Sequence, residues 1–328
     1  MIQFPLDILQ DFPIRKTSQQ KQLFRDGVIR YAESLGYAVT VEDGTFGSRN
    51  VVIGDPEKAG YLITAHYDTP AAMLLPNLIT PTNPVTFILW QAFLVLLLIL
   101  APFLISLLSG LAILFAGALW APAEYGAVLT VWAMAVWYFG FVILFFLGIG
   151  MLYFGPANKK NANDNTSGVV TLLEIARSLP ENQRSKVCFV LFDLEEKGLW
   201  GSFSHRRAHK KATDTQLVLN LDCVGDGDHI LLFPSKQLKK DRRKLTSLYK
   251  ACGYFGKKSV LLKDKGFAVY PSDQRMFPYG VGICALNKGK YGLYLSRIHT
   301  RKDMVLDLTN VNILRAAIIS YISCHAVN

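Results

Sequence analysis

Apolar and polar positions follow helical and strand periods at both ends of the chain. Helical spacing over residues 18–35 predicts an amphipathic helix with Thr17 or Ser18 as its N-cap and Gly36 as its stop. Two runs, YAVTV and RNVVIG, flank the turn-rich segment EDGTFGS and predict a β-hairpin. The next run, YLITAHYD, predicts a third strand that ends in polar residues.

The C-terminal half alternates between the two periods. Buried strands are predicted for KVCFVLFDL, QLVLNLDCV, HILLFP and GICALN, and helical patterns cover residues 167–178, 201–211, 236–252 and 308–325. Strands that alternate with helices predict an α/β fold with three layers, α/β/α, around a mixed, mostly parallel central sheet.

Two long apolar blocks interrupt this alternation, and Glu124 is the only charged residue from position 86 to position 155. The second block exceeds the roughly 20 residues that cross a bilayer core, and the first is longer still and contains Pro102. Neither block has the polar face of a water-soluble helix. We expect a transmembrane α-helical hairpin over residues 85–156, inserted between two parts of one domain, residues 1–84 and 157–328. A buried core hairpin or a dimer interface is the alternative.

The overall composition agrees with a soluble domain that carries an apolar insert. Hydrophobic residues make up 51% of the chain and charged residues 18%, which excludes an intrinsically disordered chain. The net charge of +10 is dispersed outside the insert, without basic arms, so nucleic-acid binding is not expected. The 5 cysteines have no C-x-x-C spacing, and no cleaved signal peptide is predicted. We therefore expect no disulfide framework and a reducing compartment.

Polar side chains that carry chemistry follow several predicted strands. Ligands of open α/β sheets gather at the carboxyl ends of the strands, so these side chains are expected to meet at one rim. So many unpaired carboxylates would repel one another unless cations compensate their charge. Two histidines with carboxylates and no cysteine suit two divalent ions such as Zn²⁺, Co²⁺ or Mn²⁺. The predicted rim consists of His66, Asp68, Asp164, Glu195, Glu196, Asp222 and His299.

Other candidate side chains receive a structural interpretation. His205 and His209 have the i, i+4 spacing of a zincin pair, but HRRAHKK lacks the glutamate that follows the first histidine. We expect both on a solvated helix face. Ser204 and Ser272 lie outside any G-x-S-x-G elbow, so neither is expected to be a nucleophile.

The order of the rim motifs resembles that of a known enzyme family. The succession HYD, NANDNTSG, DLEEKGLWGS, NLDCVG and IHTRKD resembles the co-catalytic zinc exopeptidases of the aminopeptidase Y and aminopeptidase S type, metallopeptidase family twenty-eight. The resemblance covers about residues 18–70 and 158–325. It implies that His66 and Asp222 bind one metal ion, that Glu196 and His299 bind the other, and that Asp164 bridges both.

The resemblance also implies the roles of the remaining residues. Glu195 would be the general base, and Asp68 would orient His66. A cis peptide would follow Asp164, and Phe277 in YPSDQRMFPYG would lie near the substrate pocket. One departure is Asn161, which stands where the family often has glycine.

The implied function is a membrane-anchored zinc aminopeptidase that removes N-terminal residues from peptides with a free N-terminus, through a water activated by two metal ions. A glutaminyl cyclase on the same scaffold, or a membrane scaffold or receptor without catalysis, remains an alternative. The sequence gives no oligomeric state.

The resemblance also bears on membrane topology. Because His66 and Asp164 must meet at one metal pair, both ends of the insert must emerge on the same side of the membrane. Lys159 and Lys160 follow the second block, whereas the connection between the blocks carries Glu124 and no basic residue. This asymmetry predicts a multi-pass protein of the cytoplasmic membrane with its catalytic domain on the cytoplasmic side.

Overall fold

The computed structural model describes residues 4–254, 258–263 and 268–324 of the chain. It divides into two compact units, a larger one of Met1–Pro84 with Ala157–Asn328 and a smaller one of Val85–Pro156. The helices are α1 (Phe4–Asp11), α2 (Ser18–Ser34), α3 (Pro84–Trp120), α4 (Gly126–Phe154), α5 (Gly168–Ser178), α6 (Trp200–Ala208), α7 (Lys210–Thr213), α8 (Arg242–Tyr254) and α9 (Leu308–Cys324). The strands are β1 (Val39–Asp43), β2 (Arg49–Ile53), β3 (Tyr61–His66), β4 (Val187–Phe192), β5 (Leu217–Leu221), β6 (His229–Pro234), β7 (Ser259–Leu262), β8 (Gly280–Gly289) and β9 (Gly292–Tyr294).

A single mixed sheet forms the centre of the larger unit. Its strand order is β1-β2-β4-β3-β5-β8-β6-β7, and β9 pairs with β8. The central strands β4, β3, β5 and β8 are parallel. The pairs β1–β2, β2–β4 and β6–β8 are antiparallel, and β6 pairs with β7 in parallel register. The predicted α/β fold with a mixed, mostly parallel sheet is confirmed.

Alternate residues of each central strand enter separate apolar cores. In β4, Phe189 and Leu191 belong to the larger core, which also contains side chains of α2, α5, α8 and α9. Cys188 and Val190 belong to a smaller core. This two-residue period is expected of a strand covered on both faces, and each fully buried apolar side chain stabilises the fold by about 1.5–3 kcal/mol.

The sequence prediction of α2 is accurate because local interactions define its start. Gln20 donates its backbone N–H to Thr17 Oγ1 over 3.3 Å, and the Gln20 side chain accepts from the Thr17 backbone N–H over 3.0 Å. This capping box satisfies two donors that a helix start leaves free. Thr17 is therefore the N-cap.

Several other elements differ from the sequence prediction. The helix expected over residues 236–252 begins at Arg242, because Asp241 accepts the backbone N–H of Lys244 and so caps the helix there. The helix expected over residues 201–211 breaks at His209, whose φ of −108° and ψ of 37° separate α6 from α7. Helix α1 and the short strands β7 and β9 have no clear periodic signal. Residue 325, the last of the helix expected over residues 308–325, lies outside the described residues.

The smaller unit consists mainly of two long apolar helices. The mean hydropathy is 2.8 in the most apolar window of Pro84–Trp120 and 2.2 in that of Ala123–Phe154, and the two windows are only 11% and 0% buried. Both helices are long and apolar enough to cross a membrane, and both differ from soluble core helices in being exposed. They pack closely through small residues: a Cβ on Gly110 would lie 2.8 Å from the carbonyl oxygen of Ala133.

Candidate metal centre

Three parallel strands deliver the first part of the rim. Strand β3 ends at His66. Its neighbour β4 ends just before the turn that carries Glu195 and Glu196, and its other neighbour β5 ends just before the loop that carries Asp222. Because neighbouring parallel strands end at one edge of the sheet, these side chains meet although they are distant in sequence.

A turn before α5 delivers Asp164. The peptide between Asp164 and Asn165 is cis, as the resemblance implied. The Asn165 side chain donates to the carbonyl of Leu221 over 2.9 Å and accepts from the backbone N–H of Cys223 over 3.2 Å, so the turn is fixed to the end of β5. A Cβ on Gly168 would lie 2.3 Å from the Leu221 carbonyl oxygen, so only glycine permits this close approach.

Asp164 presents one carboxylate oxygen to each histidine. Its Oδ1 lies 3.3 Å from His66 Nε2, and its Oδ2 lies 3.0 Å from His299 Nε2. Asp222 Oδ1 lies 3.6 Å from His66 Nε2, and Glu196 Oε2 lies 3.4 Å from His299 Nε2. Ligand atoms therefore converge in two groups that share Asp164, one with His66 and Asp222 and the other with Glu196 and His299.

The two remaining rim residues lie beside these groups. Asp68 Oδ1 lies 3.5 Å from His66 Nδ1, and the Asp68 carboxylate accepts the backbone N–H groups of Glu195 and Glu196 over 3.1 and 3.2 Å. Asp68 thus fixes the turn that carries the predicted base and lies beside a predicted ligand. Glu195 also converges with His66 and Glu196. The individual roles of these residues stay predictions.

Comparison with known proteins identifies the family. The sequence profile of peptidase family M28 matches residues 150–321, which is more than half of the chain. The chain belongs to peptidase family M28. This match confirms the resemblance to metallopeptidase family twenty-eight. It also confirms the prediction that the chain is an enzyme, a metal-dependent peptidase. Comparison with curated protein sequences gave no match.

Solved structures share the fold of this M28 chain at low sequence identity. The LapA aminopeptidase of Legionella pneumophila is 14% identical, with a TM-score of 0.54 over 97% of this chain and 69% of that chain. A glutaminyl cyclase of Tannerella forsythia is also 14% identical, with a TM-score of 0.54 over 97% of this chain and 96% of that chain. At this identity the likeness concerns the fold.

Burial and charge strongly perturb the rim of the M28 chain. Burial and the neighbouring carboxylates raise the pKa values of Glu195 and Glu196 well above the usual range of glutamate. Burial lowers the pKa of His66, but Glu195 and the other carboxylates outweigh it and raise that pKa well above its ordinary value. Burial alone would raise the pKa of Asp164. The two neighbouring histidines outweigh burial and hold that pKa below the usual range of aspartate.

These residues fit the divalent metal ions that the family implies. Glu196 Oε1 and Asp222 Oδ1 are buried and have no hydrogen-bond partner within residues 4–254, 258–263 and 268–324. Such atoms destabilise a fold unless a ligand satisfies them. Nitrogen and carboxylate oxygen donors without thiolates match zinc and similar ions.

Sequence reasoning missed two buried carboxylates near the rim. Asp303 accepts the backbone N–H groups of Asn163 and Asp164 over 2.7 and 3.0 Å, and burial raises its pKa to about 7. Burial likewise raises the pKa of Asp273 to about 7, and His66 opposes this shift. Asp303 belongs to the motif IHTRKD and Asp273 to the motif YPSDQRMFPYG. Considering every acidic residue of these motifs would have included both.

Arg15 was also missed, and it joins two parts of the rim. Its Nε donates to the carbonyl of Tyr67 over 2.5 Å, and its guanidinium donates to Thr166 Oγ1 over 3.0 Å. Burial lowers its pKa to about 10, and Asp68 and Asp164 oppose this shift, so the side chain stays charged at neutral pH. Nothing in its local sequence indicates these long-range partners.

Two further candidates are more buried than expected. Phe277 is 2% exposed and stacks on Phe192 in the smaller core, so its ring is covered in this structure, and its place near a substrate pocket stays a prediction. The solvated position expected for His205 and His209 is wrong. His205 is fully buried, and both rings contact Glu42, because α6 packs this face against β1 and β2.

Metal binding to the M28 rim is expected to release protons. The pKa of His66 is raised well above its ordinary value, so in the metal-free rim this side chain holds a proton at neutral pH, whereas a ligand must lose its proton to coordinate a metal ion. The raised pKa values of Glu195 and Glu196 act in the same direction. We expect zinc to displace about one proton per chain or more, and its affinity to rise from about pH 6 to about pH 8. Calorimetric titration of metal-free protein in two buffers of different ionisation enthalpy measures both effects. Equal heats in the two buffers, with a flat affinity profile, would contradict the expectation.

Proposed function

We propose that this chain is a membrane-anchored zinc aminopeptidase that removes N-terminal residues from peptides. The observation that carries the proposal is Asp164, which places one oxygen beside each of two histidine and carboxylate groups. Divalent ions held in this arrangement would supply Lewis-acid polarisation of the scissile carbonyl and activation of the attacking water. Their proposed ligands are His66, Asp164, Glu196, Asp222 and His299.

Glu195 moves the proton. Its carboxylate belongs to the turn that follows β4 and converges with His66 and Glu196, and its raised pKa brings proton exchange closer to neutral pH. It accepts a proton from the attacking water and donates one to the departing amine. Asp68 positions this base, because it accepts the backbone N–H of Glu195 while it also lies beside His66 Nδ1.

The carboxylate-rich rim favours an exopeptidase. A free substrate N-terminus is positively charged or a strong donor, so it is attracted to a buried cluster of acids, whereas an acylated N-terminus is not. A glutaminyl cyclase is the second candidate, supported by the structural alignment that covers nearly all of this chain and of the Tannerella forsythia cyclase. The complete set of predicted ligands argues against a scaffold without catalysis.

The smaller unit is the membrane anchor in this proposal, with domain limits at residues 1–84, 85–156 and 157–328. Residues on either side of the insert, His66 and Asp164, lie 3.3 Å apart in the larger unit. Both ends of the insert therefore lie on one side of the bilayer, and two crossings are the simplest even number. Lys159 and Lys160 at the end of the insert favour the cytoplasmic side.

The role of Glu195 is tested by Glu195→Gln. The amide keeps the shape of the side chain but accepts no proton, so we expect peptide hydrolysis to fall by roughly 10²- to 10⁴-fold while metal content stays that of the wild type. Rate measurements and elemental analysis on the same preparation check both points. Glu196→Gln should lose metal as well as activity, and the exposed Glu181→Gln serves as the unchanged control. Full activity of Glu195→Gln would contradict the assignment.

The substrate class is tested with matched peptides. We expect peptides with a free, apolar N-terminal residue to be shortened one residue at a time, and their N-acetylated forms to be untouched. Mass spectrometry of timed digests identifies each product. Cleavage of internal bonds in blocked peptides would refute an exopeptidase. Cyclisation of an N-terminal glutamine without hydrolysis would support the cyclase instead.

Topology is tested with an impermeant thiol reagent on intact cells. Ala123→Cys, placed in a Cys324→Ser background, should react from outside, because the connection between the helices lies beyond the membrane. The native Cys324 is the matched control, since it is the exposed cysteine of the larger unit and the other four are buried. It should react only after the cells are permeabilised. The reverse pattern would place the catalytic unit outside.

A further inference from the structure

A second group of histidines and carboxylates shares no residue with the rim. Glu42 on β1 shares its two carboxylate oxygens between two rings of the α6 region. Its Oε2 lies 2.8 Å from His205 Nδ1, and its Oε1 lies 2.6 Å from His209 Nε2. Glu57, in the turn between β2 and β3, places Oε1 2.5 Å from His209 Nδ1. None of these four residues has a role in the proposed peptidase mechanism.

The helix holds the two histidines as a pair. The backbone N–H of His209 still donates to the carbonyl of His205 over 2.9 Å, so the rings are separated by one helical turn, and their centroids lie 4.6 Å apart. One ligand atom from each of Glu42, His205 and His209 lies within 4.8 Å of the others. Two imidazoles and one carboxylate that converge in this way are the donor set of many zinc sites.

Glu57 contacts the ring nitrogen of His209 that does not face Glu42. A histidine that binds a metal through one ring nitrogen usually donates its other N–H to a carboxylate, which fixes the tautomer and the ring orientation. His209 has this environment, with Nε2 facing Glu42 and Nδ1 facing Glu57. An ion-pair network alone would require His209 to be protonated on both nitrogens, whereas a metal ion lets it stay neutral.

Burial and charge also favour a dication. The side-chain exposures of His205, His209 and Glu42 are 0%, 17% and 22%, so the group is covered but reachable from solvent. With neutral rings the two glutamates leave an uncompensated double negative charge. His205 Nε2 is buried without a hydrogen-bond partner among residues 4–254, 258–263 and 268–324, so Glu42 is the polar contact that holds this ring.

We propose that Glu42, His205 and His209 form a further divalent-metal site of the zinc class, with Glu57 as the partner that orients His209. The site is structural, because HRRAHKK has no adjacent carboxylate to act as a base. It links α6, which begins directly after the turn of Glu195 and Glu196, to the edge hairpin of β1 and β2.

The proposal is tested by counting zinc in the full-length purified protein and its variants. His209→Gln should contain one zinc ion fewer per chain than the wild type, and His229→Gln, a histidine of β6 outside the cluster, should match the wild type. Glu196→Gln, by contrast, should lose zinc from the rim and keep the ion at Glu42. Titration with Co²⁺ adds a spectroscopic signature, since the absorption band of the cluster should vanish only in His209→Gln.

A milder variant keeps the test decisive if His209→Gln fails to fold. Glu57 is more than half exposed, so Glu57→Gln leaves the packing intact while it weakens the orienting hydrogen bond. We expect it to lower the zinc affinity of this site by about 10- to 100-fold. The proposal is overturned if wild type, His209→Gln and Glu57→Gln bind equal amounts of zinc with equal affinity, because the cluster is then an ion-pair network only.

Discussion

The concentration of buried negative charge around Asp164 is the constraint on which the rest of the larger unit depends. Burial penalises each carboxylate, and each raises the cost of charging its neighbours, so the rim is unfavourable without compensating cations. The surroundings supply partial compensation. His66 and His299 contact Asp164, Arg15 is buried behind the rim, and two backbone N–H groups neutralise part of the charge of Asp303. A cluster so costly is retained where its charge has a function.

Contacts within the larger unit join the parts of the chain that precede and follow the long insert. The segment that precedes the insert is tied to the point where the chain rejoins the larger unit, since Ala71 and Ala157 form a β-bridge and the backbone N–H of Asn158 donates to the carbonyl of Pro70 over 3.0 Å. Asn158 also donates to the carbonyl of Thr300, next to His299. The geometry of Asp164 and His299 is thus fixed within the larger unit.

The sequence predicts the elements that local interactions define and the site residues that follow the ends of parallel strands. The strand ends indicate His66, Glu196 and Asp222, because parallel strands must release their loops at one edge. It does not indicate Arg15, whose partners are distant in sequence. Nor does it indicate the burial of His205, because a charged helix segment such as HRRAHKK has the pattern of a solvated face, and the partner on β1 is known only once the sheet is assembled.

The two histidine clusters contain the same types of metal-ligating side chain. We therefore expect the arrangement of these side chains, rather than their identity, to distinguish a catalytic metal site from a structural one. At the rim, Asp164 is shared between two groups of ligand atoms, and Glu195 converges with His66 and Glu196 while Asp68 accepts its backbone N–H, so the predicted proton acceptor is held beside the predicted ligands. At the second cluster, Glu42 faces His205 Nδ1 through Oε2 and His209 Nε2 through Oε1, and Glu57 faces His209 Nδ1. The segment HRRAHKK has no glutamate next to either histidine that could act as a base. A metal ion at Glu42 would therefore stabilise the fold, and one at Asp164 would serve a reaction.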